Sequence, residues 1–259
     1  MEEDLRQALQ TNDFVLYYQP QVERGLVIGA EALIRWNHRT RGLLSPGEFI
    51  PMAEETGLIL PLGDWVLSEA CKQLAAWAGQ KTTSHLTIAV NISARQLLNP
   101  EFTQVVLSTL DRTGAPPQKL KLELTESMLV DDIDDVIEKM SALKAHGISF
   151  SLDDFGTGYS SLAYLRRLPL DQLKIDQAFV KDILVDASSG AIAQTIISLS
   201  RAMGLSVIAE GVETEGQRNY LARIGCHAFQ GFLISAPVPL EQFQLLLPCR
   251  RANSAKFPE

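Results

Sequence analysis

The sequence is poor in the residues that build disulfides and zinc sites. Only three of its 259 residues are cysteines and only four are histidines. Cys71, Cys226 and Cys249 lie far apart, no C-x-x-C pair occurs, and no two histidines have ligand spacing. An odd number of isolated cysteines indicates reduced thiols and a cytoplasmic protein. We therefore expect neither disulfides nor a zinc centre.

Long apolar runs and basic patches are also absent. No run approaches the roughly 20 residues of a membrane-spanning helix, and the first residues do not resemble a signal peptide. Lys and Arg number 23 against 31 Asp and Glu, which gives a net charge of −8. We therefore expect no binding to DNA and no direct membrane contact by this chain. The 46% hydrophobic content is that of a soluble globular protein.

Strand-like segments alternate with helical periods along most of the chain. The alternation predicts an α/β fold with a parallel sheet, and about eight strand–helix units predict a closed barrel. The first two strands, Phe14–Tyr18 and Val27–Trp36, are joined by the short turn Glu23–Gly25. A crossover between parallel strands needs a dozen or more residues, so these two are predicted to be antiparallel. The expectation is a modified (β/α)8 TIM-like barrel with an antiparallel strand near the N-terminus.

The remaining predicted strands alternate in sequence with helices. The strands are Leu86–Ser93, Leu120–Leu124, Ile148–Leu152, Gln172–Ile175, Ser206–Ala209 and Ala228–Ile234. The helices are a segment beginning at Ser45, Leu62–Trp77, Glu101–Leu110, Ile133–Ala145, Ser160–Arg167, Ala191–Met203, Gln217–Ile224 and Glu241–Leu247.

Polar side chains occupy one face of several predicted strands. Alternate residues of a strand point to opposite faces, and the large apolar positions should pack on the helices. Asn91, Glu123 and Asp153 then face the barrel axis near the ends of their strands. Further polar residues at such positions are Glu31, Lys174, Glu210 and Gln230. Because barrel chemistry lies at the carboxyl ends of the strands, they predict a site there.

Several acids at one mouth would raise one another's pKa unless cations neutralised them. Oxygen ligands of this kind favour Mg²⁺, Mn²⁺ or Ca²⁺. The adjacent pair Asp153 and Asp154 fits this interpretation if Asp154 leaves strand geometry and turns toward a second ion. Gly156 and Gly158 allow the following loop to take left-handed turns.

These residues belong to motifs that resemble the EAL-domain cyclic di-GMP phosphodiesterases. Glu31-Ala-Leu33 followed by Ile-Arg-Trp36 is similar to the signature of that family. The motifs that match in the same order are Tyr17-Tyr-Gln-Pro20, Val90-Asn-Ile-Ser93, Glu123-Leu-Thr-Glu126, Asp153-Asp-Phe-Gly156, Lys174-Ile-Asp176, Glu210-Gly-Val-Glu213 and Gln230-Gly231. The resemblance covers nearly the whole chain and implies a bacterial signalling enzyme that hydrolyses cyclic di-GMP to linear pGpG.

The resemblance also implies roles for these residues. Two Mg²⁺ or Mn²⁺ ions are expected, with Ca²⁺ inhibitory. Lys174 would contact the attacking water, as a general base or as an electrostatic anchor, and Glu126 would brace the loop after Asp154. The expected catalytic residues are Glu31, Asp153, Lys174 and Glu210. The expected metal ligands are Glu31, Asn91, Glu123, Asp153, Asp154 and Glu210. The expected substrate contacts are Gln19, Leu33, Arg35, Glu213 and Gln230.

The resemblance extends to organisation. We expect one domain over residues 1–249, a flexible tail over residues 250–259, and a homodimer formed through the loop after Asp154 and the adjacent helix. Phe155 and Tyr159 are the candidate dimer contacts in this loop, although either could equally belong to the core. Such domains often belong to longer proteins, so further domains and membrane attachment of a parent protein stay open.

Two other interpretations compete with an active phosphodiesterase. A catalytically silent receptor for cyclic di-GMP would typically lack some of the carboxylates or the lysine, and none is missing here. An enolase-like metal barrel would leave the Asp153–Asp154 pair and the ordered motifs unexplained.

The one departure from the EAL motifs is Phe232, where that family often has Tyr.

Overall fold

The computed structural model describes residues 1–126, 133–156 and 162–247 of the chain. The predicted tail, the domain boundary at residue 249 and Tyr159 lie outside these ranges. Nine strands are found in the described residues: Phe14–Glu23 (β1), Leu26–His38 (β2), Gly42–Leu44 (β3), Thr87–Asn91 (β4), Leu120–Thr125 (β5), Ser149–Phe155 (β6), Gln172–Ile175 (β7), Ser206–Ala209 (β8) and Ala228–Phe229 (β9).

Helices follow most of the strands. They are Glu2–Thr11 (α1), Ile50–Thr56 (α2), Ile59–Ala78 (α3), Ala94–Leu98 (α4), Phe102–Thr113 (α5), Ile133–Ala145 (α6), Leu162–Leu165 (α7), Gln177–Lys181 (α8), Ala187–Met203 (α9), Glu215–Ile224 (α10) and Leu240–Leu245 (α11). Single 3-10 turns cover Pro46–Glu48 and Pro117–Lys119. None of the helices in the described ranges is long and apolar enough to cross a bilayer.

Eight of the strands close into a barrel. The hydrogen-bonded order is β1-β9-β8-β7-β6-β5-β4-β2, and β1 pairs with β2 to complete the circle. β1 is antiparallel to both of its neighbours, while the pairs from β2 through β9 are parallel. The predicted barrel and its reversed first strand are therefore confirmed. The short β3 adds to the outer edge of β2 and was not predicted.

The apolar side chains fill the layer between strands and helices, as the sequence parity predicts. Ile88, Leu122 and Phe150 are fully buried, and each lies on the face of its strand opposite the polar column. At the β1 side, aromatic rings pack against the barrel, with Phe14 and Trp36 at 5.8 Å and Trp77 stacked on Phe243 at 5.3 Å. Burial of this kind stabilises the fold and leaves the barrel interior to polar groups.

One predicted strand is wrong in length. Ala228–Ile234 was expected, but β9 ends at Phe229, and Gln230 follows the strand instead of lying within it. Gly231 has φ 154°, and a Cβ there would lie 2.3 Å from the backbone of Val212. The chain must turn at this close approach, and Ile234 N donates back to Gly231 O. The turn leaves Gln230 at the mouth of the barrel.

The other differences concern element ends and short elements. β1 continues to Glu23, β2 to His38 and β6 to Phe155, beyond their predicted ends. α7 ends at Leu165, before its predicted end at Arg167, and its predicted start at Ser160 lies outside the described residues. The helix predicted to begin at Ser45 is one 3-10 turn followed by α2. Glu48 Oε1 accepts a hydrogen bond from Ser45 N at 3.0 Å, which closes this turn. α1, α4 and α8 were not predicted.

Candidate active site

Seven polar residues meet at the mouth formed by the carboxyl ends of the parallel strands. Glu31 is in β2, Asn91 ends β4, Glu123 is in β5, Asp153 is in β6 and Lys174 is in β7. Glu210 and Gln230 follow β8 and β9 directly, and their backbone amides extend the ladder by donating to Ile175 O and Ala209 O. In the strand register Asn91 pairs with Glu123, whereas Asp153 pairs with Thr125, so the tilt of the barrel strands is needed to bring the column together. The column predicted from the sequence is nevertheless a real cluster.

Lys174 lies at the centre of the cluster and is fully buried. Its Nζ lies 2.6 Å from Glu123 Oε2, 2.8 Å from Asp153 Oδ2 and 3.7 Å from Glu31 Oε2, and it also pairs with Glu210 Oε1. Burial alone would lower the pKa of Lys174. The four carboxylates outweigh it and raise that pKa well above its ordinary value. The ammonium is therefore held in its charged form.

The carboxylates carry more negative charge than Lys174 neutralises. Burial raises the pKa of Glu123 to about 7, although Lys174 opposes the shift. Burial also raises the pKa of Glu210 well above its ordinary value, again against Lys174. Glu123 Oε1 is buried and has no hydrogen-bond partner in the described residues. An unpartnered, buried carboxylate oxygen is costly unless a cation or donor meets it.

Side-chain amides orient Glu31. Asn91 Nδ2 donates to Glu31 Oε1 at 2.6 Å, and Gln230 Nε2 donates to Glu31 Oε2 at 2.6 Å. The same Gln230 nitrogen lies 3.1 Å from Glu210 Oε1. Both oxygens of Glu31 are thus fixed by amides, one at the end of the adjacent β4 and one directly after β9.

Asp154 has left strand geometry, as the sequence indicated. Its φ is 55°, in the left-handed region, and the β6–β7 register is interrupted between Leu152 and Phe155. Burial, the neighbouring Asp153 and a hydrogen bond with Asp176 raise the pKa of Asp154 to about 6. Asp176 also caps α8 by accepting from Ala178 N at 2.7 Å. The two adjacent carboxylates of the pair are therefore held in different surroundings.

Glu126 contacts the backbone just beyond this pair. Its side chain is buried, and Oε2 accepts a hydrogen bond from Gly156 N at 3.1 Å. Phe155 between them is buried in the core, which leaves it unsuited to an exposed dimer contact. The bracing role assigned to Glu126 stays a prediction.

Of the predicted substrate residues, Gln230 belongs to the cluster, and the other four do not make hydrogen bonds to its carboxylates in the described residues. Gln19 Nε2 lies 3.3 Å from Ser235 O, while Arg35 donates to Ile34 O at 2.8 Å and packs over the Tyr17 ring at 5.4 Å. Leu33 lines a mostly apolar cleft of about 380 Å³ beside Asn91. Glu213 is exposed, and its backbone N donates to Gln217 Oε1. The cleft is lined by Asn91 of the cluster, and Arg35 interacts electrostatically with Glu31.

Sequence reasoning missed two polar residues of the site. Gln21 is buried, and its Nε2 donates to Gln230 Oε1 at 3.0 Å. Asp176 contacts Asp154. The signal for Gln21 was its parity with Gln19 on the inward face of β1, and Asp176 stands two residues after Lys174 in the same motif.

The carboxylates of the cluster are arranged around the Lys174 ammonium. Within the described ranges, no group of three or more His, Cys, Asp or Glu side chains is arranged to hold a metal ion. Its donors are nevertheless carboxylate and amide oxygens, which suit hard divalent cations, and Glu123 Oε1 still lacks a partner. In composition and charge, the residues fit such an ion.

Comparison with known proteins identifies the family of this chain. A model of the EAL domain matches residues 2–237. The bifunctional diguanylate cyclase/cyclic di-GMP phosphodiesterase MucR of Pseudomonas aeruginosa is 46% identical over 241 residues, which make up 92% of this chain and 35% of MucR. Cyclic di-GMP phosphodiesterase NbdA of the same organism is 44% identical over 259 residues, covering 98% of this chain and 33% of NbdA. The chain spans about a third of the length of these relatives.

Solved structures agree with this placement. The MucR phosphodiesterase in complex with c-di-GMP matches with a TM-score of 0.90 at 46% identity, over 93% of this chain and 98% of that chain. The EAL enzyme Bd1971, in its form with cAMP and cyclic-di-GMP bound, gives 0.91 at 36% identity, over 95% of this chain and 68% of that chain. The match of fold, motifs and family model over nearly the whole chain shows that this protein belongs to the EAL domain family.

Proposed function

We propose that the chain hydrolyses one phosphodiester bond of cyclic di-GMP to linear pGpG and so lowers the level of this messenger. The observation that carries the proposal is the convergence of four carboxylates on Lys174 at the carboxyl-end mouth of the barrel. Support comes from two relatives named as cyclic di-GMP phosphodiesterases and from a similar structure in complex with c-di-GMP. The enolase-like interpretation is dropped because the chain belongs to a different family.

The acidic residues of the mouth would hold two Mg²⁺ or Mn²⁺ ions. Glu31, Asn91, Glu123 and Asp153 would bind the first ion, and Asp153 and Asp154 would bind the second. Glu210 supports the site beside Lys174. When bound, the ions supply a water of lowered pKa and neutralise charge on the phosphate. The larger and more flexibly coordinated Ca²⁺ would inhibit.

The protein's own groups position the reactants. The Lys174 ammonium, held among carboxylates, would hold the oxygen of the attacking water by donating a hydrogen bond to it. The Arg35 guanidinium offers a planar pair of donors for a phosphate. Gln19 and Glu213 would contact the rest of the substrate. The apolar cleft beside Leu33 has the shape and chemistry to hold a nucleobase and exclude water from it.

The same proposal extends to assembly and location. A cytoplasmic homodimer formed through the segment after Asp154 would keep the catalytic mouth open to a soluble nucleotide. Much of that segment lies outside the described residues. In the adjacent α7, Tyr164 is 45% exposed and is available for contact. Analytical ultracentrifugation of the purified chain, with Tyr164→Ala for comparison, tests this part separately.

The test of activity uses the purified chain with cyclic di-GMP and Mn²⁺ or Mg²⁺, followed by nucleotide chromatography. We expect pGpG to accumulate only with the divalent ion. Glu31→Gln should lower the rate by at least about 100-fold because it removes a ligand charge and disturbs the Asn91 and Gln230 contacts.

Glu23→Gln is the matched control, since Glu23 is an exposed carboxylate at the other end of the barrel. Its rate should equal that of the parent chain. Tight nucleotide binding without pGpG at any divalent concentration would overturn the proposal in favour of a silent receptor. Full activity in Glu31→Gln would overturn the ligand assignment.

A further inference from the structure

Gln230 has a side-chain amide whose two ends face opposite partners. Its Nε2 lies between Glu31 Oε2 at 2.6 Å and Glu210 Oε1 at 3.1 Å, while its Oε1 points away from both. If this amide were turned over, its oxygen would face two carboxylates and repel them. The orientation of Gln230 therefore determines whether Glu31 and Glu210 are held or pushed apart.

A second amide fixes that orientation. Gln21 Nε2 donates to Gln230 Oε1 at 3.0 Å. Turning Gln230 over would bring its NH₂ group against the NH₂ group of Gln21, two donors with no acceptor between them. Gln21 and Gln230 are 1% and 3% exposed, so water has little access to replace the lost bond. The pair is thus a directed chain of hydrogen bonds that ends on the acidic cluster.

The reversed strand makes this contact possible. Gln21 lies opposite Gly29 in the β1–β2 register, two residues further from the mouth than Gln19, which lies opposite Glu31. Gly29 has no side chain to occupy the interior there. Gln21 can therefore approach Gln230, which is 209 residues away in the chain.

The acceptor atom of Gln21 does not explain the presence of a glutamine at this position. Its Oε1 is buried and has no partner in the described residues. An apolar side chain of the same length would remove that unsatisfied acceptor and would leave Gln230 Oε1 without its donor, so the two effects on stability oppose each other. What glutamine supplies, and methionine does not, is the donor to Gln230.

We propose that Gln21 is a positioning residue, which orients Gln230 so that its amide holds Glu31 and Glu210 in the geometry that binds the divalent ion. The inference rests on the proposed function for the identity of the bound ion. Gln21 touches neither Glu31 nor Glu210 by any hydrogen bond in the described residues, so it acts through Gln230.

The test compares Gln21→Met, Gln230→Met and the double variant. Mn²⁺ affinity is measured by isothermal titration calorimetry, and urea unfolding is measured in the absence of added metal. Gln21→Met should weaken Mn²⁺ binding by about 10- to 100-fold, the range of an outer-shell partner. Its unfolding midpoint should change little, because methionine removes the unpartnered Gln21 Oε1 but leaves Gln230 Oε1 without its donor. In the Gln230→Met background, adding Gln21→Met should change Mn²⁺ affinity by less than about twofold, because the effect passes through Gln230.

A metal-independent measurement separates this inference from the proposed function. The side-chain amide protons of Gln230, observed by NMR in ¹⁵N-labelled chain, should be protected from exchange and should lose that protection in Gln21→Met. If the parent chain binds no Mn²⁺, the proposed metal site is refuted, and the exchange measurement decides the role of Gln21. Unchanged protection, unchanged Mn²⁺ affinity, or equal losses in both backgrounds would each overturn the inference.

Gln172→Met is the matched control. Gln172 is another buried glutamine of the barrel, but it accepts from Lys121 Nζ at the opposite end. Its replacement should leave Mn²⁺ affinity and the Gln230 amide protons unchanged. A loss equal to that of Gln21→Met would show that any buried glutamine produces the effect, and it would overturn the specific role.

Discussion

The two ends of the barrel interior place a lysine in opposite electrostatic surroundings, and Lys174 is fully buried while Lys121 is half-buried. On β7, Lys174 contacts four carboxylates at the carboxyl-end mouth, while Gln172, two residues earlier, lies near the other mouth. On β5, Glu123 belongs to the acidic cluster, and Lys121 bonds to the neutral Gln172 Oε1 at 2.8 Å. Burial lowers the pKa of Lys121, whereas the carboxylates raise that of Lys174.

The difference shows that the surroundings of the barrel interior change within one step of the strand pleat. Residues two apart on the same face are only about 6.6 Å apart, yet one end concentrates negative charge and the other does not. The second end opens into a cavity of about 550 Å³ that is lined by Lys121, Gln172, His85, His227 and Arg201 among others. The scaffold is common to both ends, so the chemistry depends on which side chains the strands place at each level.

The largest expected effect comes from removing the central lysine. Lys174→Met leaves the buried carboxylates without their partner and should lower the free energy of unfolding by about 3–5 kcal/mol. Lys121→Met replaces an ammonium that has one neutral acceptor, so it should change that free energy by less than about 1.5 kcal/mol. Urea unfolding of both variants without added metal measures the difference. Similar losses in both would remove the contrast between the two ends.

We also expect pH to have a large effect on the affinity of the carboxyl-end mouth for a divalent ion. The pKa of Glu123 is raised to about 7 and that of Asp154 to about 6, and both must lose their protons to bind a cation. Mn²⁺ affinity should therefore rise as pH increases from 5 through 7 and level off above 8, by at least about tenfold overall. Calorimetry across this range measures it, and a flat profile would contradict the assignment of these two carboxylates.

A smaller effect should follow from neutralising one member of the adjacent pair. Asp154→Asn keeps a residue that tolerates the left-handed region and removes a charge beside Asp153. It should raise the free energy of unfolding by about 1 kcal/mol without metal, in line with a modest loss of like-charge repulsion. It should also weaken the rise in melting temperature that Mn²⁺ produces.

Asp64→Asn is the control for this variant, because Asp64 has a pKa raised by burial alone and lies on α3. Its response to Mn²⁺ should match that of the parent chain. Calorimetric melting of both variants, with and without Mn²⁺, gives the comparison. An undiminished response in Asp154→Asn would exclude this side chain from the metal site.

The smallest expected effect is that of replacing Lys121, at the end of the barrel away from the carboxylates, on the rate of turnover. Lys121→Met should leave the rate of pGpG formation within about twofold of the parent chain, because Lys121 makes no hydrogen bond or ion pair with the acidic cluster in the described residues and its charge interacts with Glu123 and Lys174 in opposite senses. Initial-rate measurements at saturating cyclic di-GMP provide the test. A tenfold loss would show that the two ends are functionally coupled.

Much of the fold and the cluster could be predicted from sequence because both depend on short-range patterns. The period of two in the strands determines which face Glu123 and Asp153 occupy, and the short Glu23–Gly25 turn determines the direction of β1. The common direction of the parallel strands then brings their polar carboxyl ends to one mouth of the barrel. These inferences need no knowledge of packing.

The parts that could not be predicted depend on contacts between distant segments. β9 ends early because Gly231 approaches the backbone of Val212, which no local pattern reveals. The bond between Gln21 and Gln230 exists only when the barrel closes. The link from Asp176 to Asp154 likewise depends on the left-handed turn at Asp154, where the strand register is interrupted.

The turn between β1 and β2 has a practical consequence for building with this domain. Arg24 and Gly25 take φ values of 49° and 81°, and a Cβ at Gly25 would meet nothing within 4 Å. Because β1 is reversed, this turn lies at the end of the barrel away from the carboxylates, on the strand that carries Gln19 and Gln21. A ligand-responsive domain inserted at this turn would lie outside the mouth that holds the carboxylates. Its conformational change would be transmitted to β1, the strand that carries Gln19 and Gln21. The turn is therefore a suitable insertion point for an engineered sensor.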